Sequence, residues 1–160
     1  MQGDPKVIEY LNQALTNELT AINQYWLHYR LLAHWGMAKL ASFERGESID
    51  EMKHADSLSE RILVLDGLPN FQALGRLKIG ENVQELLRAD LALEMEAIPL
   101  LKDAIAHCET VRDFVTREIF ARILESEEEH VDAIETQLEM IERMGLANYI
   151  QLNSAPPQGE

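Results

Sequence analysis

The sequence is poor in cysteine, in aromatic residues and in positive charge, with one Cys, 6% aromatics, and 14 Lys and Arg against 28 Asp and Glu in 160 residues. The lone Cys108 cannot close an internal disulfide, which suits a reducing compartment, and its default role is a small buried apolar side chain. Aromatics and runs of Val or Thr are scarce while apolar residues make up 46% of the chain. Leu, Ala, Ile and Met supply most of that content, which favours helices over sheet. The formal net charge of −14 repels phosphate backbones and argues against nucleic acid as a partner. No apolar run approaches the ~20 residues of a membrane span, and no basic start leads into an apolar stretch. A cytoplasmic protein without membrane contact is expected, built as one domain over residues 1–160.

What is present is helical punctuation. Asp4-Pro5 reads as an N-cap followed by proline at the first helical position. The stripe Leu11, Leu15, Ile22, Tyr25, Tyr29, Leu32 then steps by threes and fours until Trp35-Gly36. Helices are expected over about 5–34, 37–65, 83–108 and 111–144, with a short fifth over 147–152 and a mobile tail over 153–160. Asn82 with Glu85 resembles one cap, and Thr110 with Asp113 another. The turns after the first and third helices are short, so each pair is antiparallel. The stretch from Pro69 to Glu81 is long enough to cross the bundle. The expected fold class is all-α, a four-helix bundle with one long crossover and a short C-terminal helix. Pro99 should bend the third helix locally, because it cannot donate to the carbonyl of Met95.

A spacing that occurs twice carries the chemistry. Glu18 stands 33 residues before Glu51, with His54 three further on; Glu94 stands 33 before Glu127, with His130 three further on. The two sets are offset by 76 residues at every position, and the apolar stripes share that offset, Leu15 with Leu91 and Ile22 with Ile98. A Glu three places before a His is common in so acidic a chain, so the shared offset is the informative part. Glu18 and Glu94 lie on apolar stripes, where bare charge is expensive. Glu and His at i and i+3 can face one point. Four inward carboxylates are balanced by two divalent ions, and the set is the donor type of a di-iron carboxylate centre. Glu18 and Glu94 are read as terminal ligands, Glu51 and Glu127 as bridges, and His54 and His130 as one nitrogen ligand each. Tyr25, on the same stripe as Glu18, is open to two roles, a core tyrosine or a group that hydrogen-bonds a ligand or supplies an electron.

Together with Ala21-Ile22-Asn23-Gln24-Tyr25, Glu51-Met52-Lys53-His54-Ala55-Asp56, Gly67-Leu68-Pro69-Asn70, Asp90-Leu91-Ala92-Leu93-Glu94 and Glu127-Glu128-Glu129-His130, these residues resemble the bacterioferritins. The resemblance runs from Met1 to about Leu152. It implies a ferritin-like fold and a homo-oligomeric 24-subunit cage built from dimers, open to mixing with a second subunit type. It also implies ferroxidase activity at a centre of two iron ions per subunit, oxidising Fe(II) with dioxygen or hydrogen peroxide and storing ferric mineral. An electron-donor ferredoxin would release that iron. Met52 occupies the position of the axial ligand to haem b shared between two subunits. Gly46 stands where some relatives carry histidine, which leaves Glu47 and Asp50 as cavity-side carboxylates that could meet iron, with solvated residues of a helix face as their default reading. A rubrerythrin-type peroxidase is disfavoured by the missing cysteine pair. A miniature DNA-protecting ferritin is disfavoured because both ligand halves lie in one chain, and a haem carrier with a vestigial metal site would lack fast iron oxidation.

Overall fold

The computed structural model describes residues 1–154; of the tail expected to be mobile, 155–160 lie outside the described residues, whereas Asn153 is buried at the end of the last helix. The chain forms α1 (Pro5–His34), α2 (Ala38–Val64), α3 (Val83–Val111), α4 (Phe114–Met144) and the short α5 (Leu146–Asn153). No strand occurs among the described residues. Around the bundle, α1 packs on α2 and α3, α3 packs on α4, and α4 closes against α2. This is the expected ferritin-like bundle.

Local chemistry sets the helix ends. The Asp4 carboxylate accepts from Val7 N at 3.0 Å and Pro5 opens α1 without wasting a donor. Gly36, at φ 84°, supplies the left-handed turn into α2. Asn82 Oδ1 accepts from Glu85 N at 2.9 Å. The α3–α4 turn departs from expectation: α3 continues to Val111, Arg112 takes the left-handed position, and Asp113 rather than Thr110 caps α4. Thr110 instead donates to His107 O within α3, at 2.7 Å. Both spacings suit a cap, and Arg61 of α2 decides between them. Its guanidinium reaches Asp113 at 3.0 Å and Thr116 Oγ1 at 2.8 Å, tying the fourth helix start to the second helix. α3 runs unbroken through Pro99, which lies on its exposed side. Water can serve the carbonyl that the proline leaves without a donor there.

Two apolar clusters fill the ends of the bundle. One contains Leu11, Leu15, Leu58, Ile62, Leu101 and Phe120, with Cys108 buried among them. Burial pushes the Cys108 thiol up to about 11, so it is an uncharged packing group. The other contains Leu32, Met37, Leu40, Leu87, Ile134 and Tyr149. The long crossover follows α1 through a ladder of side chains. Asn12 accepts from Asn70 N at 2.8 Å, Thr20 from Gly75 N at 2.8 Å, Gln24 from Lys78 N at 2.9 Å, and His28 from Gly80 N at 3.1 Å. A Cβ at Gly80 would stand 2.2 Å from Leu86 N, so only glycine fits this approach. No helix of the described residues is long and apolar enough to cross a membrane.

Candidate metal centre

Between the two apolar clusters lies a polar layer built from all four long helices. α1 contributes Glu18, α2 Glu51 and His54, α3 Glu94, and α4 Glu127 and His130. Five of the six are buried and His54 is half-buried. The six expected residues therefore come together, and they do so as two overlapping groups. Glu18, Glu51, His54 and Glu127 each place a donor atom within 4.8 Å of the others, and so do Glu51, Glu94, Glu127 and His130. Glu51 and Glu127 belong to both groups. They stand in the middle, with one carboxylate and one imidazole on either flank.

Both imidazoles turn Nδ1 inward. His54 Nδ1 lies 3.2 Å from Glu127, 3.5 Å from Glu18 and 3.7 Å from Glu51. His130 Nδ1 lies 3.1 Å from Glu51 and 3.6 Å from Glu94. The rings are near-parallel with centroids 6.4 Å apart. A gap of about 10 Å³ lies among Glu18, Glu51, Glu94 and Glu127, walled by Ala21, Leu93 and Ala97. On the opposite side a groove of about 500 Å³ between α2 and α4 reaches His54, past Lys53, Ser57, Arg61, Ile119 and Arg122.

The electrostatics show what the layer needs. Burial pushes the Glu94 carboxyl well above the usual range, with Glu127 adding to it, and burial with the neighbouring Glu51 raises Glu127. Burial works the same way on Glu51, but the imidazoles of His130 and His54 beside it outweigh it and hold that carboxylate below its ordinary value. Burial would lower His54, yet the carboxylates of Glu127 and Glu51 close beside it carry it up to about 9. His130 is raised more strongly by Glu47, Glu51 and Glu94, again against burial. Without cations, then, protons hold the layer together. Glu18 Oε2, Glu94 Oε2, Glu127 Oε1, both oxygens of Glu51 and Nδ1 of both histidines have no hydrogen-bond partner among the described residues. Buried donor atoms of carboxylate and imidazole, aimed at common points without partners, fit divalent metal ions.

The surrounding residues fall partly as expected. Tyr25 is fully buried and donates to Glu94, with burial and the Glu94 charge holding its phenol well above its ordinary value. It is in contact with the layer. Glu47 is no solvated surface residue: it is only 7% exposed, and its carboxylate stands 2.8 Å from His130 Nε2. Asp50 is half-exposed and 3.7 Å from the same nitrogen. Gly46 is exposed with open space where a side chain would stand. Met52 is exposed although Glu51 beside it is buried, so its thioether points away from the polar layer.

A second buried polar group was not anticipated. Gln24, His28, Glu44 and Asp90 are all 0% exposed and meet near the second apolar cluster. They do not repeat at the 76-residue offset: Ala104 corresponds to His28 and Phe120 to Glu44. The α1 stripe holds the signal that could have found them. Tyr29 is only partly buried while Gln24 and His28 are fully so, and polar residues on an inward face ask for partners.

Residues 8–144 match the Ferritin-like domain family. Similar relatives include a bacterioferritin of Brucella melitensis biotype 1, 50% identical over 156 residues, with 98% of this chain and 97% of the relative covered. A bacterioferritin of Rhodobacter capsulatus shows the same identity and coverage. One of Mycobacterium avium is 48% identical over 158 residues, covering 98% of this chain and 99% of its own length.

Proposed function

The chain belongs to the bacterioferritins, within the ferritin-like proteins, and on that premise we propose that it stores iron and oxidises Fe(II) at the six-residue layer. The observation that carries the reading is the sharing of Glu51 and Glu127 between two four-residue groups. One ion would take Glu18 and His54 as its own ligands, the other Glu94 and His130, with the two central carboxylates spanning both. The four carboxylates offset the charge of two Fe(II). A bound pair supplies one electron from each ion to dioxygen or hydrogen peroxide, and the Fe(III) produced goes to a ferric mineral inside a 24-subunit cage.

The chain's own groups prepare that chemistry. Glu47 stands 2.8 Å from His130 Nε2, where its charge would favour a hydrogen on that nitrogen and Nδ1 as the ligating atom. Tyr25 holds Glu94 by its hydroxyl, fixing one terminal carboxylate. Because His54 and His130 carry protons in the metal-free layer, metal binding displaces protons and weakens in acid. Ala21, Leu93 and Ala97 exclude water on the α1–α3 side, so ions are expected to arrive by the groove at His54. Glu47 and Asp50 stand on the other face of His130, where iron leaving for the cavity would pass.

Met52 is 41% exposed on α2, and a soft, accessible thioether fits an axial ligand of haem b. With one Met52 from each of two chains, such a haem would serve electron transfer, including electrons from a ferredoxin that releases stored iron. A cytoplasmic setting, where Fe(II) and reductants coexist, belongs to the same proposal.

Adding measured Fe(II) to the metal-free protein in air tests the function. We expect a fast phase ending at two irons per chain, then slower growth of protein-bound mineral. Saturation at two with no further retention would instead mark a di-iron oxidase acting on another substrate. Met52→Leu should lose the haem Soret band yet keep the fast phase; a retained band would remove Met52 as ligand.

A further inference from the structure

The second polar cluster has a hydrogen-bond pattern that fixes where its protons are. Gly80 N donates to His28 Nε2 at 3.1 Å, so that nitrogen is an acceptor. The ring hydrogen must then sit on Nδ1, which donates to Asp90 Oδ1 at 2.8 Å. Lys78 N donates to Gln24 Oε1 at 2.9 Å, which turns the Gln24 amide nitrogen toward the same Asp90 oxygen, at 3.0 Å. Asp90 Oδ1 thus accepts twice and carries no hydrogen of its own. Its Oδ2 and both oxygens of Glu44 have no partner of the ordinary donor kind among the described residues, though all are buried. The two carboxyls nevertheless approach each other, with donor atoms of His28, Glu44 and Asp90 all within 4.8 Å.

Two bare carboxylates cannot rest together in that position. The groups facing them give no positive charge: Glu47 on α2, Glu94 on α3, and the phenols Tyr25 on α1 and Tyr149 on α5. From the crossover the N–H groups of Lys78 and Gly80 point inward, while the Lys78 ammonium is paired with Glu96 at the surface and Arg76 is exposed. His28 has both nitrogens committed and no lone pair for a cation. A hydrogen on one Glu44 oxygen, directed at Asp90 Oδ2, satisfies both orphaned groups at once.

We propose that Glu44 and Asp90 bind one proton between them, Glu44 as the neutral acid and Asp90 as its acceptor, and that this proton latches the crossover onto the bundle. Burial pushes the Glu44 carboxyl well above the usual range, and the Asp90 charge and hydrogen bond add to it, in the direction the latch requires. The occupied pair holds Asp90 in place. Asp90 orients His28 and Gln24, and these two receive Gly80 N and Lys78 N, the last two rungs of the ladder along α1. Loss of the proton sets two negative charges against each other and pulls the shared acceptor away from both rungs. Nothing in the latch requires that the neighbouring layer bind iron.

The test uses the assembled, Zn(II)-loaded protein, so that the carboxyls of the metal layer are ionised. Infrared difference spectra between wild type and Glu44→Gln should show the carbonyl stretch of a buried carboxylic acid near neutral pH, shifting in D₂O. Trypsin cleavage after Arg76 and Lys78, corrected for the enzyme's own pH profile, should accelerate roughly tenfold over the alkaline range in which that band is lost, as expected for losing a buried hydrogen bond. Glu44→Gln, whose amide can donate permanently, should stay protected throughout, and Glu44→Leu should be cleaved faster already at neutral pH. Absence of the acid band would overturn the proposal, as would equal cleavage of wild type and both variants. So would a band removed by Zn(II) together with a third metal ion per chain, which would make the pair a cation site.

Discussion

The two helical hairpins carry the same carboxylates and imidazole in different surroundings. In the second half, Glu94 accepts from Tyr25, and Glu47 sets its charge 2.8 Å from His130. The residues at the matching positions of the other half are Leu101 and Ile123, so neither Glu18 nor His54 has an equivalent brace. His54 is also the more open imidazole, 15% exposed against 5% for His130, and it lines the groove between α2 and α4. A repeated set of residues therefore need not make equivalent sites. The Glu94–His130 position is pre-organised, while the Glu18–His54 position is accessible and adjustable.

The largest effect should come from breaking what the halves share. Glu51→Ala removes a donor from both groups, so Co(II) or Zn(II) titrated into the metal-free chain should no longer bind at two per chain. Glu18→Ala and Glu94→Ala should each leave one tight ion. If Glu51→Ala still binds two ions tightly, the shared placement has no role in ligation.

Removing the braces should erase the asymmetry at smaller cost. Tyr25→Phe and Glu47→Gln should each weaken the tighter of two calorimetric binding steps by about 10–100-fold, the usual effect of losing a partner that orients a ligand. The weaker step should hardly move. Equal weakening of both steps would mean that the two positions are not independently supported.

The mildest probe is pH. His54 is raised to about 9 in the folded metal-free layer, above an ordinary value of about 6.5. A group raised on folding contributes stability that is complete below its unfolded value and is lost as pH rises through its folded value. Thermal midpoints of the metal-free protein should thus fall as pH climbs from about 7 to beyond 9. Zn(II), which takes the place of the proton, should flatten that decline. An unchanged slope with Zn(II) bound would show that the titrating group lies elsewhere.

Much of the architecture was legible because it rests on periodicity and caps. The stripe from Leu11 to Leu32, Pro5 after Asp4 and the length of the crossover each have a local physical cause. The six layer residues were legible because their spacing repeats. Glu47 read as a surface carboxylate since its sequence neighbours are polar, and only the approach of α4 puts His130 against it. Thr110 and Asp113 are equally good caps by spacing, and the choice fell to Arg61, some fifty residues away. His28, Glu44 and Asp90 belong to three helices with no shared offset, so no local pattern joins them.

The sequence by itself determined the helices, their pairing and the ligand types, because those follow from 3.6-residue periodicity, turn chemistry and the donor atoms of Glu and His. Tertiary structure alone decided which ligand is braced, which imidazole faces the groove, and where a buried acid meets its acceptor. Those depend on contacts between helices, and a side chain's charge and hydrogen bonds are set by whatever distant residue packs against it.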